Sequence, residues 1–222
     1  MDENTIDEKK ELRQVVVYSL LLTILPWVVY IVDRLFSLHL RQYGLHPMEM
    51  KGLIGILTLP FLHADWEHLI SNTPALFALL GGLFLFYNRS AWRIVGSLYI
   101  ISGLLTWFMG RSAMHIGASG LVYALASFHF VSGIIKKERR QLAFSLLVAF
   151  LYGGFVWAFF PTLYIGTSIS WEGHLSGLLT GIVFAFYYRQ DGPQLHEICF
   201  EEEDEDDWEG EAMYEEDGSQ SH

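Results

Sequence analysis

Six long runs of residues without a single Asp, Glu, Lys or Arg make up about half of this 222-residue chain. They contain 16 to 20 residues each and are Val15–Val32, Leu69–Phe86, Ile94–Met109, Ile116–Ile135, Leu142–Phe160 and Gly173–Tyr188. A helix needs about 20 mostly apolar residues to cross the hydrocarbon core of a bilayer. Backbone polar groups find no water there, so each run is expected to satisfy its own hydrogen bonds as a helix. The runs predict an all-α membrane protein with six transmembrane helices.

The charged residues are segregated along the chain, which carries a formal net charge of −11. Residues 191–222 hold fourteen of the 25 acidic residues and no Lys or Arg, whereas residues 1–190 hold all fourteen basic residues. A block of like charges that is poor in apolar residues is usually disordered and solvated. We therefore expect a cytoplasmic segment at 1–14, a six-helix domain at 15–190 and an acidic, disordered cytoplasmic tail at 191–222.

Two compositional facts exclude other classes of protein. An acidic tail without a basic groove argues against a nucleic-acid partner. The chain has one cysteine, Cys199, which rules out a disulfide framework and a cysteine-based zinc site.

The basic residues also predict the orientation in the membrane. With six spans both termini lie on one side, and ten basic residues fall there against four on the other side. Lys and Arg are enriched in cytoplasmic loops, so both termini are expected to be cytoplasmic. The expected membrane, by default, is a bacterial inner membrane. The eleven apolar residues 52–62 are too few to cross, and we interpret them as an interfacial or re-entrant part of a long first outer loop.

The second, fourth and sixth runs all begin at the outer surface under this topology, and their first turns carry polar residues. Ser119 lies in the sequence GASG at the start of the fourth run, between Gly117 and Gly120. A helix N-terminus has free backbone N–H groups that can hold an oxyanion, and the glycines let a substrate approach. Taken alone, the same pattern also fits a contact between helices through small residues.

His174 begins the sixth run and shares one helical face with Gly177 and Gly181. The G-x-x-x-G spacing of the two glycines permits close contact with a neighbouring helix. If that neighbour is the fourth helix, His174 comes within reach of Ser119 and can act as its general base. The alternative is a structural histidine that is bonded to a backbone carbonyl.

His68 and Asn72 are one helical turn apart at the start of the second run, and their side chains could donate to one oxyanion. Helix capping around Asn72 is the alternative interpretation. Tyr123 lies one turn after Ser119 and could pack on the His174 ring, or belong to an ordinary aromatic core. Four such features at one depth in the membrane favour a functional site.

Together the residues form three motifs on alternate helices. These are H-x-x-x-x-H-x-x-x-N at His63, His68 and Asn72, G-x-S-G-x-x-Y from Gly117 to Tyr123, and G-H-x-x-G-x-x-x-G from Gly173 to Gly181. Over about residues 15–190 the chain resembles the rhomboid family of intramembrane serine proteases. The resemblance implies a six-helix rhomboid-like bundle with a long first outer loop, and cleavage of transmembrane substrates near their outer ends without a cofactor or metal.

The resemblance also implies the role of each residue. Ser119 would be the nucleophile and His174 the base of a dyad without an acidic member. His68, Asn72 and the Ser119 backbone N–H would be the oxyanion donors, with Tyr123 packing on His174. Because the base must be neutral, activity is expected to fall below about pH 6.5.

One departure and three rival hypotheses accompany this interpretation. Many members of the family carry Trp-Arg in the first outer loop, whereas here the only such pair is Trp92-Arg93 on the cytoplasmic side. The sequence lacks the H-E-x-x-H motif that is expected of a metalloprotease. It also lacks the repeated halves that are expected of a small transporter. A non-catalytic relative that binds or escorts membrane proteins would need neither Ser119 nor His174. The expected partners are transmembrane substrates and membrane lipid, and the oligomeric state stays open.

Overall fold

The computed structural model describes residues 3–151 and 170–192, and these residues form an all-helical bundle. The helices are α1 (Glu3–Phe36), the short α2 (Ile54–Thr58), α3 (Trp66–Tyr87), α4 (Ala91–Met109), α5 (Ser119–Ile135), α6 (Arg139–Leu151) and α7 (Trp171–Tyr187). By length and apolarity, the helical stretches Lys9–Phe36 and Trp66–Met109 could cross a membrane, and the second contains both α3 and α4. Ser119–Ile135 is also apolar but shorter.

Apart from α2, each described helix overlaps one predicted run, but the bounds differ. α1 extends beyond Val15–Val32 at both ends and includes most of the predicted N-terminal segment. Asp65 caps α3 by accepting from the His68 backbone N–H at 2.8 Å, so α3 begins three residues before its apolar run. α5 begins at Ser119 and not at Ile116, because Gly117 has φ +115° and its N–H donates to the Leu59 carbonyl. In the fifth run, residues 152–160 lie outside the described part of the chain.

α5 lies at the centre of the bundle and contacts α3, α4, α6 and α7. Its core side chains Leu125 and Phe128 are fully buried, as are Leu79 and Leu83 of α3 and Leu98 of α4. Apolar side chains gain little by leaving lipid, so close packing and interhelical hydrogen bonds hold such a bundle together. His129 supplies one of these bonds, since its Nε2 lies 3.0 Å from the Leu79 carbonyl oxygen.

The apolar segment 52–62 of the first loop forms short helical turns and does not span. Met50–Leu53 and Leu59–Phe61 are 3-10 turns on either side of α2. The segment packs against α4, where the Tyr99 hydroxyl donates to the Leu57 carbonyl and Ile56 lies beside Gly103. The loop is therefore held beside the start of α5.

Candidate active site

Ser119 is the first residue of α5 and is half-buried. The preceding loop turns into the helix at Gly117, whose φ of +115° is a conformation that side chains disfavour. A Cβ atom at Gly117 would lie 2.5 Å from the His68 ring, so the residue is restricted by space as well. The hydroxyl of Ser119 is thus presented at a helix N-terminus with free backbone N–H groups.

His174 lies in the first turn of α7, and its Nε2 is 3.0 Å from the Ser119 Oγ. The two residues are 55 positions apart in sequence and meet because α5 and α7 cross closely. A Cβ atom at Gly177 would overlap the Gly120 carbonyl, and one at Gly181 would overlap the Ala124 carbonyl. The glycine face of α7 therefore sets the distance between the hydroxyl and the imidazole.

Tyr123 is buried one turn below Ser119, and its ring stacks on the His174 ring. The ring centroids are 4.3 Å apart, with an angle of 20° between the planes. The other ring nitrogen of His174, Nδ1, has no hydrogen-bond partner among residues 3–151 and 170–192. The orientation of the imidazole thus depends on Tyr123 and on the Ser119 hydroxyl.

His68 and Asn72 both approach this site from α3 but make different contacts. The His68 ring packs against Gly117, two residues before the serine. Asn72 is buried, and its Nδ2 lies 3.3 Å from Nε2 of His63. Asn72 lies in the second turn of α3 and does not cap it, because Asp65 is the cap.

His63 makes a contact for which the sequence suggested no role. The Ala118 backbone N–H donates to His63 Nε2 at 3.4 Å, so that nitrogen is unprotonated and Asn72 Nδ2 also donates to it. Burial, together with the positive charge that His68 can carry, lowers the pKa of His63 to about 4. His63 is therefore a neutral acceptor that holds both Asn72 and the residue before Ser119.

A second histidine–serine contact ties the α4–α5 loop to the start of α7. His115 Nε2 donates to the Arg111 carbonyl at 3.1 Å, so its Nδ1 accepts from the Ser170 hydroxyl at 2.6 Å. The Ser170 oxygen in turn accepts from the Gly173 N–H and caps α7. Burial lowers the pKa of His115, which favours this neutral form.

Neither member of this pair was anticipated, although a serine three residues before Gly173 is a usual N-cap signal. Glu172, in the first turn of α7, is buried and pairs with Arg111 at 3.5 Å. The loop before Ser119 is thus bonded to the helix that carries His174 by two side-chain contacts. His129 lies away from these groups and contacts Leu79 and Gln141.

Comparison with known proteins places the chain in a family. The family model of the Rhomboid domain matches residues 51–191. An uncharacterised protein of Mycobacterium tuberculosis (strain ATCC 25618 / H37Rv) is 34% identical over 195 residues, covering 82% of this chain and 79% of that protein. An uncharacterised protein of Mycobacterium leprae (strain TN) is 32% identical over 173 residues, covering 73% and 66%.

The name of a protein of Acanthamoeba polyphaga mimivirus describes it as a rhomboid protein. It is 27% identical to this chain over 143 residues, which cover 61% of this chain and 75% of that protein. The matched region includes the first-loop segment and every helix from α3 to α7. The chain belongs to the rhomboid family.

Proposed function

We propose that this rhomboid protein is an intramembrane serine endopeptidase. One observation carries the proposal: a serine hydroxyl at a helix N-terminus lies 3.0 Å from the Nε2 of a histidine whose ring is stacked on a tyrosine. A hydroxyl is a weak nucleophile unless an adjacent base accepts its proton. The Ser119 and His174 pair meets that requirement with the geometry expected of a nucleophile and base.

In the first half of the reaction, the Ser119 Oγ attacks the carbonyl carbon of a substrate peptide bond and passes its proton to His174 Nε2. The tetrahedral oxyanion accepts hydrogen bonds from the Ser119 backbone N–H and from His68 and Asn72. Asn72 has two protons on Nδ2, and one is directed at His63, which leaves the other for the oxyanion. The C–N bond then breaks, and His174 protonates the leaving amine.

In the second half, water attacks the acyl-enzyme ester while His174 accepts its proton, and the Ser119 oxygen leaves and is reprotonated. Water is a reactant, so the site must be open to the aqueous phase. Its position in the first turns of α3, α5 and α7 supports access from one membrane surface. A substrate helix has to unwind locally there, because its peptide bonds are shielded by their own hydrogen bonds.

The positive charges support an orientation with this site at the outer face and both chain termini in the cytoplasm. The substrates would be transmembrane proteins that are cut near their outer ends. The mycobacterial relatives support a bacterial cytoplasmic membrane as the location.

The test is labelling of the purified full-length protein in detergent with a fluorophosphonate probe, which reacts with activated serines. We expect labelling of the wild type and none of Ser119→Ala or His174→Ala. The matched control is Ser112→Ala, which changes an exposed serine in the loop between α4 and α5. This variant should label normally. If the folded wild type neither labels nor cuts a model transmembrane substrate, the alternative of a non-catalytic protein that binds or escorts membrane proteins is supported instead.

A further inference from the structure

Two cavities lie one above the other between α1 and α4, against α3. Neither is lined by Ser119 or His174, although Leu121, two residues after Ser119, lines the deeper one. The cavity at the membrane surface, here called the polar cavity, has a volume of 440 Å³ and is lined by Glu11, Gln14, Tyr18, Asn88, Arg89 and Trp92, among others. The deeper one, the apolar cavity, has a volume of 240 Å³, with Leu22, Pro26, Pro60, Leu80, Trp92 and Gly96 in its lining. Trp92 lines both.

Faces of α1, α3 and α4 line both cavities, which we call together the α1–α4 groove. On α1, Tyr18, Leu22 and Pro26 follow one another at four-residue spacing and so lie on one face. Leu22 and Pro26 are about 6 and 12 Å deeper than Tyr18 at 1.5 Å per residue. On α4, Trp92 and Gly96 repeat the spacing. The groove therefore runs from the membrane surface, where α4 begins, towards the middle of the bilayer.

The surface end of the groove carries one charge of each sign. Arg89 and Glu11 are both exposed and line the same cavity, and in the described part of the chain neither forms an ion pair. The neighbouring Arg93 is already paired with Asp191 at 3.1 Å. A guanidinium suits a phosphate, and a carboxylate accepts from an ammonium group, so this end complements a zwitterion.

Aromatic rings mark the boundary between the two ends. Tyr18, Phe84 and Trp92 contact one another, with centroid distances of 4.9 to 5.4 Å. Tyrosine and tryptophan favour the level of lipid headgroups, where one side of the ring is apolar and the other wet. This triad therefore places the polar cavity at the headgroup level and the apolar cavity at the level of acyl chains.

The size of the apolar cavity favours a lipid over a protein segment. A helix with its side chains is about 10–12 Å across and does not enter a space of 240 Å³, whereas part of a single hydrocarbon chain does. A Cβ atom added to Gly96 would meet nothing within 4 Å, so the glycine borders open space.

We propose that the α1–α4 groove binds one phospholipid with a phosphoethanolamine headgroup. The phosphate contacts Arg89, the ammonium contacts Glu11, and one acyl chain lies beside Gly96. The site is separate from Ser119 and His174 and does not depend on the proposed peptidase activity. It would keep α1, which contacts chiefly α3 and the first-loop segment, in place beside α4.

The experiment uses the full-length protein in nanodiscs that contain phosphatidylethanolamine with a photoreactive diazirine in one acyl chain. After illumination, mass spectrometry locates the labelled residues. We expect labelling concentrated on 14–26 of α1 and 92–99 of α4. Labelling spread evenly over all exposed apolar helix faces would contradict the proposal, because it would indicate ordinary boundary lipid.

Two kinds of variant sharpen this test. Gly96→Leu fills the apolar cavity and should reduce groove labelling about tenfold, equivalent to about 1.4 kcal/mol. Leu104→Phe adds bulk to an exposed part of α4 outside the groove and should leave labelling unchanged. Undiminished labelling of folded Gly96→Leu would overturn the acyl-chain assignment.

The headgroup assignment is tested by competition with unlabelled lipids. In the wild type, phosphatidylethanolamine should displace the probe better than phosphatidylglycerol, which has no ammonium group. Glu11→Gln should remove this preference, and Arg89→Ala should weaken both competitors. Equal competition by the two lipids in the wild type, or displacement of the probe by a transmembrane peptide, would overturn the proposal.

Discussion

His63 shows how one buried ring can order two parts of a site. Its Nε2 accepts from the Asn72 amide and from the Ala118 N–H, which lie on different segments of the chain. The ring is only 3% exposed, so a proton added to Nε2 would replace two hydrogen bonds by a buried charge. Protonation of His63 and the folded arrangement therefore oppose each other.

This opposition predicts how stability depends on pH. The pKa of His63 is lowered from 6.5 to about 4, so below pH 6.5 the unfolded chain binds the proton more readily than the folded protein does. Stability should be fully present above pH 6.5 and should fall on acidification, with the His63 contribution about 2 kcal/mol between pH 7 and 5. Unfolding in mixed detergent micelles, followed by circular dichroism at each pH, measures this.

The comparison variants are His63→Asn and His39→Asn. His63→Asn should make the acid part of the profile shallower but not flat, because burial also lowers the pKa of His115. The variant also lowers stability at pH 7. His39 is exposed and has a left-handed backbone conformation, which asparagine tolerates, so His39→Asn should keep the wild-type profile. A wild-type slope in His63→Asn would show that other groups cause the pH dependence.

At this scale the sequence is informative where residues share a helix. The four-residue spacings of His68 with Asn72 and of Ser119 with Tyr123 predict common faces, because the helical repeat is local. The contact of His115 with Ser170 spans 55 residues and depends on how two loops pack. No local rule predicts such a contact.

The candidate active site depends on the contact between α5 and α7. Gly177 lies against the Gly120 carbonyl, and Gly181 lies against the Ala124 carbonyl and the Ser127 hydroxyl. Small residues allow two helix backbones to approach closely, and here that approach brings His174 to Ser119.

We therefore expect Gly177→Ala to force the two helices apart. The added methyl group would overlap backbone atoms that cannot move independently, at a cost of about 1–3 kcal/mol in the free energy of unfolding. Fluorophosphonate labelling should fall as well, because the Ser119 to His174 distance increases.

The matched control for that variant is Gly81→Ala in α3. Its added Cβ atom would have the Ser19 hydroxyl as its nearest neighbour, at an ordinary 3.7 Å. Alanine is favoured over glycine in a helix by about 1 kcal/mol, so this variant should be neutral or slightly more stable. Equal behaviour of the two variants would mean that the glycine contact does not set the site geometry.

Across the whole molecule, side-chain contacts gather the helix ends on two surfaces. On the surface away from Ser119, Arg93 at the start of α4 pairs with Asp191 after α7, and Lys136 after α5 donates to the Asp191 carbonyl. On the other surface, the α4–α5 loop contacts the start of α7 through His115 and Ser170. Successive helices therefore begin on alternate surfaces, so that α5 and α7 begin on the same surface. This arrangement is expected of a multi-pass bundle.

The distribution of positive charge then predicts the topology. Reporters fused at the two termini should both indicate the cytoplasm, and one inserted near Met48 in the first loop should indicate the outer side. A fluorescent protein, active in the cytoplasm, and alkaline phosphatase, active outside it, provide paired readouts at each position. Termini on opposite sides would contradict the six-span arrangement.

Residues 193–222, with most of the acidic tail, lie outside the described part of the chain, so the predicted disorder of the tail stays a prediction.

By itself the sequence determined the class of the protein and its main helices. A long uncharged apolar run has few options in a bilayer, because every backbone N–H and C=O must find a partner within the chain. The family follows from three motifs whose spacings are local. The described ends of α3, α5 and α7 differ from the runs by at most three residues, because capping and loop contacts, not hydropathy, set the ends of helices.

Only the tertiary structure decided which side chains meet. The 3.0 Å contact of Ser119 with His174, the contacts of His63 with Asn72 and Ala118, and the bond between His115 and Ser170 join residues that are distant in sequence. Their distances depend on how helices cross and how loops are anchored. The α1–α4 groove is likewise a property of packing, since it exists where two helices leave space between them.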